Sequence, residues 1–157
     1  MSKIDATEIL VIKIDMFLGE FEYKIDPKGR VAIPPKFRKH FANGIVLNMG
    51  AEQCINVYPP QLWDEIAEKY GSGPIEPSKL RQRNRAIFAS AFDMELDEQG
   101  RVMLPPPLRR HAGIKDSLVI AGANKYLEIW SKEHWEKQKE SATKDFWQIL
   151  ESMETRQ

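Results

Sequence analysis

The sequence predicts an α+β fold assembled from two tandem copies of one unit, and three observations carry that expectation. The chain repeats itself at an offset of 71 residues, with Asp97 falling on Asp26. Within each copy, short runs alternate apolar and polar residues with the period of half-buried strands. Other runs place apolar residues every three or four positions, as amphipathic helices do.

The repeat is explicit residue by residue. Phe21, Asp26, Gly29, Arg30, Val31, Pro34, Pro35, Arg38 and His40 recur as Phe92, Asp97, Gly100, Arg101, Val102, Pro105, Pro106, Arg109 and His111. With one inserted residue, Ile55, Val57, Tyr58 and Trp63 align with Leu127, Ile129, Trp130 and Trp135. Phe21, Tyr23 and Ile25 alternate with polar neighbours, as do Phe92, Met94 and Leu96, so a strand opens each unit. Asp26-Pro27-Lys28-Gly29 suits a type I turn, with Asp first, Pro presetting φ second and Gly fourth. Asp97-Glu98-Gln99-Gly100 keeps that skeleton without Pro. Strands are expected from Arg30 to Ile33 and from Arg101 to Leu104, stopped by Pro34 and Pro105, each opening a short helix. Hairpins should join Ile45–Met49 to Gln53–Tyr58 and Ser117–Ala121 to Tyr126–Trp130, around Gly50 and Gly122-Ala123-Asn124.

Helices close the units. Leu62, Trp63, Ile66, Ala67 and Tyr70 mark one, ended by Gly71-Ser72-Gly73-Pro74. Leu80, Asn84, Ile87, Phe88 and Ala91 mark a second, from about Ser78, a residue able to cap it. A long final helix from near Ser131 carries Trp135, Gln138, Ala142, Phe146, Ile149, Leu150 and Met153 along one face. That face packs either on the chain's own core or on a neighbouring subunit. The segments divide as an extension over 1–15, a first repeat over 16–70, a linker and arginine-rich helix over 71–90, a second repeat over 91–135 and the C-terminal helix over 136–157.

Composition narrows the functional classes. The 157 residues are 42% hydrophobic and 29% charged, which excludes collagen-like and disordered classes and suffices for a packed core without staples. Cys54 is the single cysteine, so no internal disulfide forms. No apolar run approaches the ~20 residues of a membrane helix, and the N-terminus lacks the order of a secretion signal. The expected home is the reducing cytoplasm.

The 23 basic and 23 acidic residues cancel in total but not in place. Lys24 to Lys39 holds six basic residues against Asp26 alone, and Pro77 to Phe88 holds Lys79, Arg81, Arg83 and Arg85 without an acid. Acids gather around Asp64 to Glu68 and from Glu133 to Glu154. A neutral chain with segregated cationic segments can bind a polyanion, although solvated charged faces give the same pattern.

Asp-x-x-Gly-Arg, twice, each followed by an apolar strand and Pro, resembles the MraZ family of bacterial transcriptional regulators. The resemblance runs from Met16-Phe17-Leu18-Gly19-Glu20, through the arginine-rich helix before Ala89-Ser90-Ala91 and the Leu108-Arg109-Arg110-His111-Ala112-Gly113 stretch, to the C-terminal helix. It implies two AbrB-like swapped-hairpin (double-split) β-barrel units per chain, flanking helices and a ring-shaped homo-oligomer. It also implies binding of double-stranded DNA at G-rich direct repeats upstream of the division and cell-wall gene cluster, as a repressor. Residues 1–15 precede the usual family start, as a genuine extra segment or a misassigned translation start, and Glu8 to Ile14 offers an edge strand.

The candidate residues divide by chemistry. Asp26, Gly29, Asp97 and Gly100 are turn scaffold: the carboxylates accept backbone N–H bonds and the glycines permit the left-handed conformation. Arg30 and Arg101 carry planar donor forks that can grip guanine O6 and N7, and the resemblance makes them the expected base readers. Lys28, replaced by Gln99 in the second turn, is expected to meet phosphate. Arg38 and Arg109 either contact phosphate or pair with acids that hold the units together. For all these arginines an ion pair within the chain is the competing role. Arg81 and Arg85 share a helical face and Arg83 does not, so that helix either meets phosphate or pairs with the acidic last helix of a neighbour.

Two rival classes use the same residues. A shared-proton carboxylate dyad would place Asp26 and Asp97 in two halves, but Pro27-Lys28 and Glu98-Gln99 follow them where an aspartic protease has Thr or Ser and Gly. His40, His111 and His134 show neither triad nor metal-ligand spacing, and Cys54 falls in an expected strand as a buried inert thiol. No enzyme activity, cofactor, metal or small-molecule substrate is expected, and no membrane partner. The second rival is an oligomeric protein-interaction or antitoxin-like module on the same barrel, because arginine suits carboxylate as well as phosphate.

Overall fold

The computed structural model describes residues 16–71 and 73–154. Eight strands and five helices follow in the order β1 (Glu20–Lys24), β2 (Arg30–Ala32), α1 (Pro35–Phe41, wound as a 3-10 helix), β3 (Ile45–Met49), β4 (Ile55–Tyr58), α2 (Pro60–Gly71), α3 (Pro77–Phe88), β5 (Phe92–Met94), β6 (Arg101–Met103), α4 (Pro106–Ala112), β7 (Ser117–Gly122), β8 (Leu127–Ser131) and α5 (Lys132–Glu154). The fold is α+β, as expected. Glu8 to Ile14, the expected edge strand, lies outside the described residues.

Strand pairing shows how the two repeats combine. One antiparallel sheet runs β1-β7-β8-β4-β3-β5 and a second pairs β2 with β6. Exchanging the repeats maps the six-strand order onto itself. Each hairpin, β3-β4 or β7-β8, is local, but it is flanked by a strand of the other repeat: β1 lies on β7 with Tyr23 opposite Leu118, and β5 on β3 with Met94 opposite Ile45. At the centre Asn56 faces Glu128, and in the small sheet Val31 faces Val102. Neither repeat completes a sheet by itself, and the two swapped-hairpin units share one core.

The local chemistry explains the elements. Phe21 and Tyr23 turn inward from β1 while Glu20, Glu22 and Lys24 face water, and those charges guard a sheet edge against further pairing. The interior strands β3 and β7 are buried along nearly their whole length. Pro34 and Pro105 stand as the residues before α1 and α4, with Pro35 and Pro106 in the first turn, where a missing N–H costs nothing. Phe37 and Phe41 from α1 and Leu108 and Ala112 from α4 then enter the core.

Strands β2 and β6 each end one residue earlier than expected and β8 starts one later, and two further boundaries differ for a visible local reason. Helix α3 is capped by Glu76 rather than Ser78: its carboxylate accepts from the N–H of Ser78 at 3.0 Å and of Lys79 at 3.3 Å, and Pro77 takes the first helical position. Strand β4 begins at Ile55 rather than Gln53, because Gly50 N donates to Cys54 O at 2.9 Å and Cys54 N to Glu52 O at 2.8 Å, curling residues 51–54 into a bend. Cys54 therefore precedes the strand, fully buried. Helix α5 starts beside Ser131 as anticipated, and Ser131 Oγ accepts from His134 N at 3.1 Å. Among the described residues no helix is long and apolar enough to cross a membrane.

Phe17 ties the first segment to the core. Its ring meets Phe37 edge-on at 5.1 Å and stacks on Phe41 at 5.7 Å, while its N–H donates to Asn124 O at 2.6 Å. The side chain is 1% exposed. Phe17→Ala should therefore cost about 3–5 kcal/mol in chemical denaturation, the range for removing a buried aromatic ring.

Candidate nucleic-acid interface

The doubled motif forms two turns of the same construction. In the first, Gly29 N donates to Asp26 O at 3.0 Å, and Asp26 Oδ1 accepts from the N–H groups of Lys28 at 2.9 Å and Arg30 at 2.8 Å. In the second, Gly100 N donates to Asp97 O at 2.9 Å, and Asp97 Oδ1 accepts from Gln99 and Arg101, both at 2.9 Å. Gly29 and Gly100 take φ of +82° and +75°, the left-handed region that favours glycine. Asp26, Gly29, Asp97 and Gly100 all lie within these hydrogen-bonded turns.

The second carboxylate oxygen of each turn holds its arginine. Arg30 Nε donates to Asp26 Oδ2 at 2.7 Å and Arg101 Nε to Asp97 Oδ2 at 2.9 Å. The competing intramolecular ion pair is thus present in both turns. It does not consume the fork, because the terminal guanidinium nitrogens remain beyond the Nε contact, and both side chains stay about a quarter to a third exposed. Arg101 Nη1 also lies 3.8 Å from Asp26 Oδ2, so the two guanidinium groups converge on one carboxylate. The backbone N–H of Arg30 is the main reason the Asp26 carboxyl sits below its ordinary range, followed by the Arg30 side chain; Arg101 does the same for Asp97.

Backbone bonds bring the turns together across the repeats. Ile33 N donates to Gly100 O at 2.9 Å and Leu104 N to Gly29 O at 2.8 Å, extending the β2–β6 ladder into the opposite turn. Arg38 and Arg109 complete the crossing, in a way the sequence did not anticipate. Among the described residues neither meets an acid. Arg38 Nε donates to Ile33 O at 2.9 Å and its side chain covers Gly100, while the Arg109 guanidinium covers Gly29. Each repeat's helical arginine backs the other repeat's turn. Lys28 projects at the turn tip, exposed.

The remaining candidates separate. Arg83 turns inward, donating to Tyr70 O at 2.6 Å with its guanidinium 5.6 Å from the Tyr70 ring centre, whereas Arg81 and Arg85 are exposed. The histidines do not gather: His111 Nε2 lies 2.8 Å from Glu52 O and 3.1 Å from Gly50 O, and His134 Nδ1 lies 3.2 Å from Ala112 O. One cluster escaped the sequence reading. Glu52, Cys54 and Glu128 bring their donor atoms within 4.8 Å of one another, and a separation of 74 residues between Cys54 and Glu128 left no local signal. Burial, then Glu128, pushes the Cys54 thiol up to about 12, and burial raises Glu128 as well. The Cys54 thiol, 3.9 Å from Glu128 Oε2, therefore holds its proton more firmly than usual and is a thiol, not a thiolate.

Comparison with known proteins fits this geometry. The family model described as "MraZ protein, putative antitoxin-like" matches residues 16–83 and 87–157, one stretch for each turn. The chain belongs to the MraZ family. The chain is 49% identical over 140 residues to the transcriptional regulator MraZ of Dehalococcoides mccartyi, covering 88% of this chain and 99% of that protein. The namesake of Roseiflexus castenholzii is 45% identical over 121 residues, with 77% and 85% covered, and that of Heliobacterium modesticaldum 36% over 138 residues, with 88% and 96% covered.

Two measurements check the turn architecture. A Cβ at Gly100 would strike Arg38 Nε and Cδ, whereas one at Gly29 would lie 3.1 Å from Arg109 Nη1, the end of a flexible side chain. Gly29→Ala should cost about 1–2 kcal/mol, the penalty of the left-handed conformation, and Gly100→Ala distinctly more in the same denaturation assay. Acid titration followed by NMR of the Lys28 and Gln99 amides tests the carboxylates. Folded-state lowering makes their contribution complete above the ordinary aspartate range near 3.9 and lost only as pH falls through the depressed folded value. The turn amides should therefore hold their shifts through that range and lose them below it.

Proposed function

We propose that the chain is a cytoplasmic, nucleoid-associated transcriptional regulator that reads double-stranded DNA in the major groove through Arg30 and Arg101. The observation that carries this reading is the convergence of two guanidinium groups, each fixed by its Nε to a turn carboxylate. A fork oriented before binding loses less freedom on meeting guanine O6 and N7, and each such bidentate contact is worth about 1–3 kcal/mol of discrimination. Lys28, exposed beside them, meets phosphate in one turn only. Arg38 and Arg109 act mainly from behind, holding the turns in place.

Two turns read too few bases to single out one site in a genome. A head-to-tail ring repeats the pair around its rim, and direct repeats on DNA then add affinity through effective concentration. G-rich direct repeats upstream of the division and cell-wall genes, bound to repress them, are the targets this reading assigns. The relatives named as transcriptional regulators support the class of activity, and the arginine geometry supports the choice of guanine.

Fluorescence anisotropy with the chain's own upstream duplex and a scrambled duplex, at two salt concentrations, tests it. The native duplex should be preferred at both salts, with affinity falling as salt rises. Arg30→Ala or Arg101→Ala should weaken native-duplex binding about ten- to a hundred-fold and leave the melting temperature within a few degrees. Unchanged affinity in both variants would sink the assignment, and no binding to either duplex would favour a protein-interaction module on the same barrel.

A further inference from the structure

The bend that precedes β4 meets the hairpin of the second repeat in a cluster of mixed donors. Glu52 and Cys54 come from the bend and Glu128 from β8, and their ligand atoms lie within 4.8 Å of one another. The strand register explains the meeting. Asn56 stands opposite Glu128 in the β4–β8 ladder, so the two share a face of the sheet, and Cys54, two residues before Asn56, falls on that face as well. The thiol is fully buried, Glu128 half-buried and Glu52 exposed, so the cluster has one end in the protein and one open to water.

The donors are already aimed. Trp130 Nε1 donates to Glu128 Oε1 at 3.2 Å, which leaves Oε2 for Cys54 Sγ, 3.9 Å away. Asn56 Nδ2 donates to Tyr58 Oη at 3.0 Å, which turns Oδ1 to the sulfur at 3.8 Å. Outer partners of this kind are how proteins orient metal ligands. In a tetrahedral zinc site the Zn–S and Zn–O bond lengths put sulfur and oxygen about 3.5 Å apart, so both observed separations close with a small side-chain movement. Gly50 keeps the space clear: a Cβ there would lie 2.5 Å from Cys54 Sγ and 3.3 Å from Asn56 Oδ1. Charge points the same way. Among the described residues no cationic side chain pairs with Glu52 or Glu128, and burial, then these two carboxylates, keep the proton on the thiol.

We propose that Glu52, Cys54, Asn56 and Glu128 form a site for one thiophilic divalent cation of the zinc class. Cys54 supplies sulfur, each carboxylate one oxygen and Asn56 Oδ1 the fourth donor, a mixed set that suits zinc and disfavours magnesium or calcium, which take oxygen alone. On binding, the sulfur releases its proton to water and takes the metal in its place. The positive charge of the cation then offsets the two carboxylates. Glu52, Cys54 and Asn56 belong to the first repeat and Glu128 to the second, so the cation clamps the repeats together across the β4–β8 pairing. None of these residues lies in the two turns, and the site stands independently of DNA reading.

Titration of the untagged full chain, stripped with a chelator, tests the site, using Zn²⁺ against a chromophoric competitor and Co²⁺ alone. One Zn²⁺ should bind per chain, and Co²⁺ should develop a sulfur-to-metal charge-transfer band in the near ultraviolet. Cys54→Ser should abolish that band. Glu52→Gln, at an exposed side chain with no hydrogen bond of its own among the described residues, keeps the test independent of any folding defect in the buried variant and should weaken Zn²⁺ binding about ten-fold or more. Zn²⁺ at a hundred-fold excess over its dissociation constant should raise the wild-type melting temperature by about 5–10 °C, with a smaller rise in Glu52→Gln at the same concentration and none with Mg²⁺. A wild type that binds no Zn²⁺ overturns the proposal. Co²⁺ binding without the band, or Zn²⁺ affinity unchanged in both variants, places the cation elsewhere and overturns it equally.

Discussion

Everything in this molecule depends on the exchange of two backbone hydrogen bonds between neighbouring turns. Gly29 and Gly100 each offer a carbonyl to the strand of the other repeat, at Leu104 and Ile33, and Val31 meets Val102 between them. That crossing fixes the small sheet, and through it the positions of Arg30 and Arg101. The glycines do two jobs: they let the chain reverse, and they leave room for the arginine of the opposite repeat. A side chain at either position would disturb one turn and the support of the other unit together. The reading surface and the hinge between repeats are therefore one structure.

Much of this was legible in the sequence because the governing signals are local. The strand–turn–strand pattern needs only alternation, Asp, Gly and Arg within a few residues, and both copies formed as the spacing implied. Ser78 misled because a serine ahead of a helical pattern is a good cap in general, while Glu76 with Pro77 behind it made a better one. Cys54 was expected in a strand because Gly50 alone was taken as the turn, whereas the reversal needs residues 51–54 as well. What lay beyond reach was the pairing between distant segments. Nothing near Arg38 announces Gly100, and nothing near Cys54 announces Glu128. The choice of partners for Arg38 and Arg109 was missed for the same reason, since sequence charge points to acids and the fold supplied a carbonyl and bare backbone.

Electrostatics follows the same division between local pattern and assembled surface. A net charge of zero conceals one end of the chain's sequence that is cationic around the turns and another that is acidic along α5. In the fold, each turn arginine is half-neutralised by its aspartate, which steadies the guanidinium without surrounding it. The exposed cations Arg81 and Arg85 stand on α3, a helix without an acid, so neutrality of the whole chain coexists with locally cationic surface.

The exchange of strands between repeats has a consequence for how the chain is made. Strand β1 must wait for β7, with Glu20 paired to Ala121, so about a hundred residues separate the synthesis of the two. At ordinary translation rates that interval is roughly 5–20 s. Throughout it the first repeat exposes Phe21, Tyr23 and an unfinished sheet edge, with no sequel yet available to cover them. Folding is then limited by the emergence of the last strands rather than by any local step, as expected for a topology dominated by distant contacts. An unfinished first repeat could also satisfy its edge with the same segment from another nascent chain on the same message, giving two half-built molecules a route into one another before either is complete.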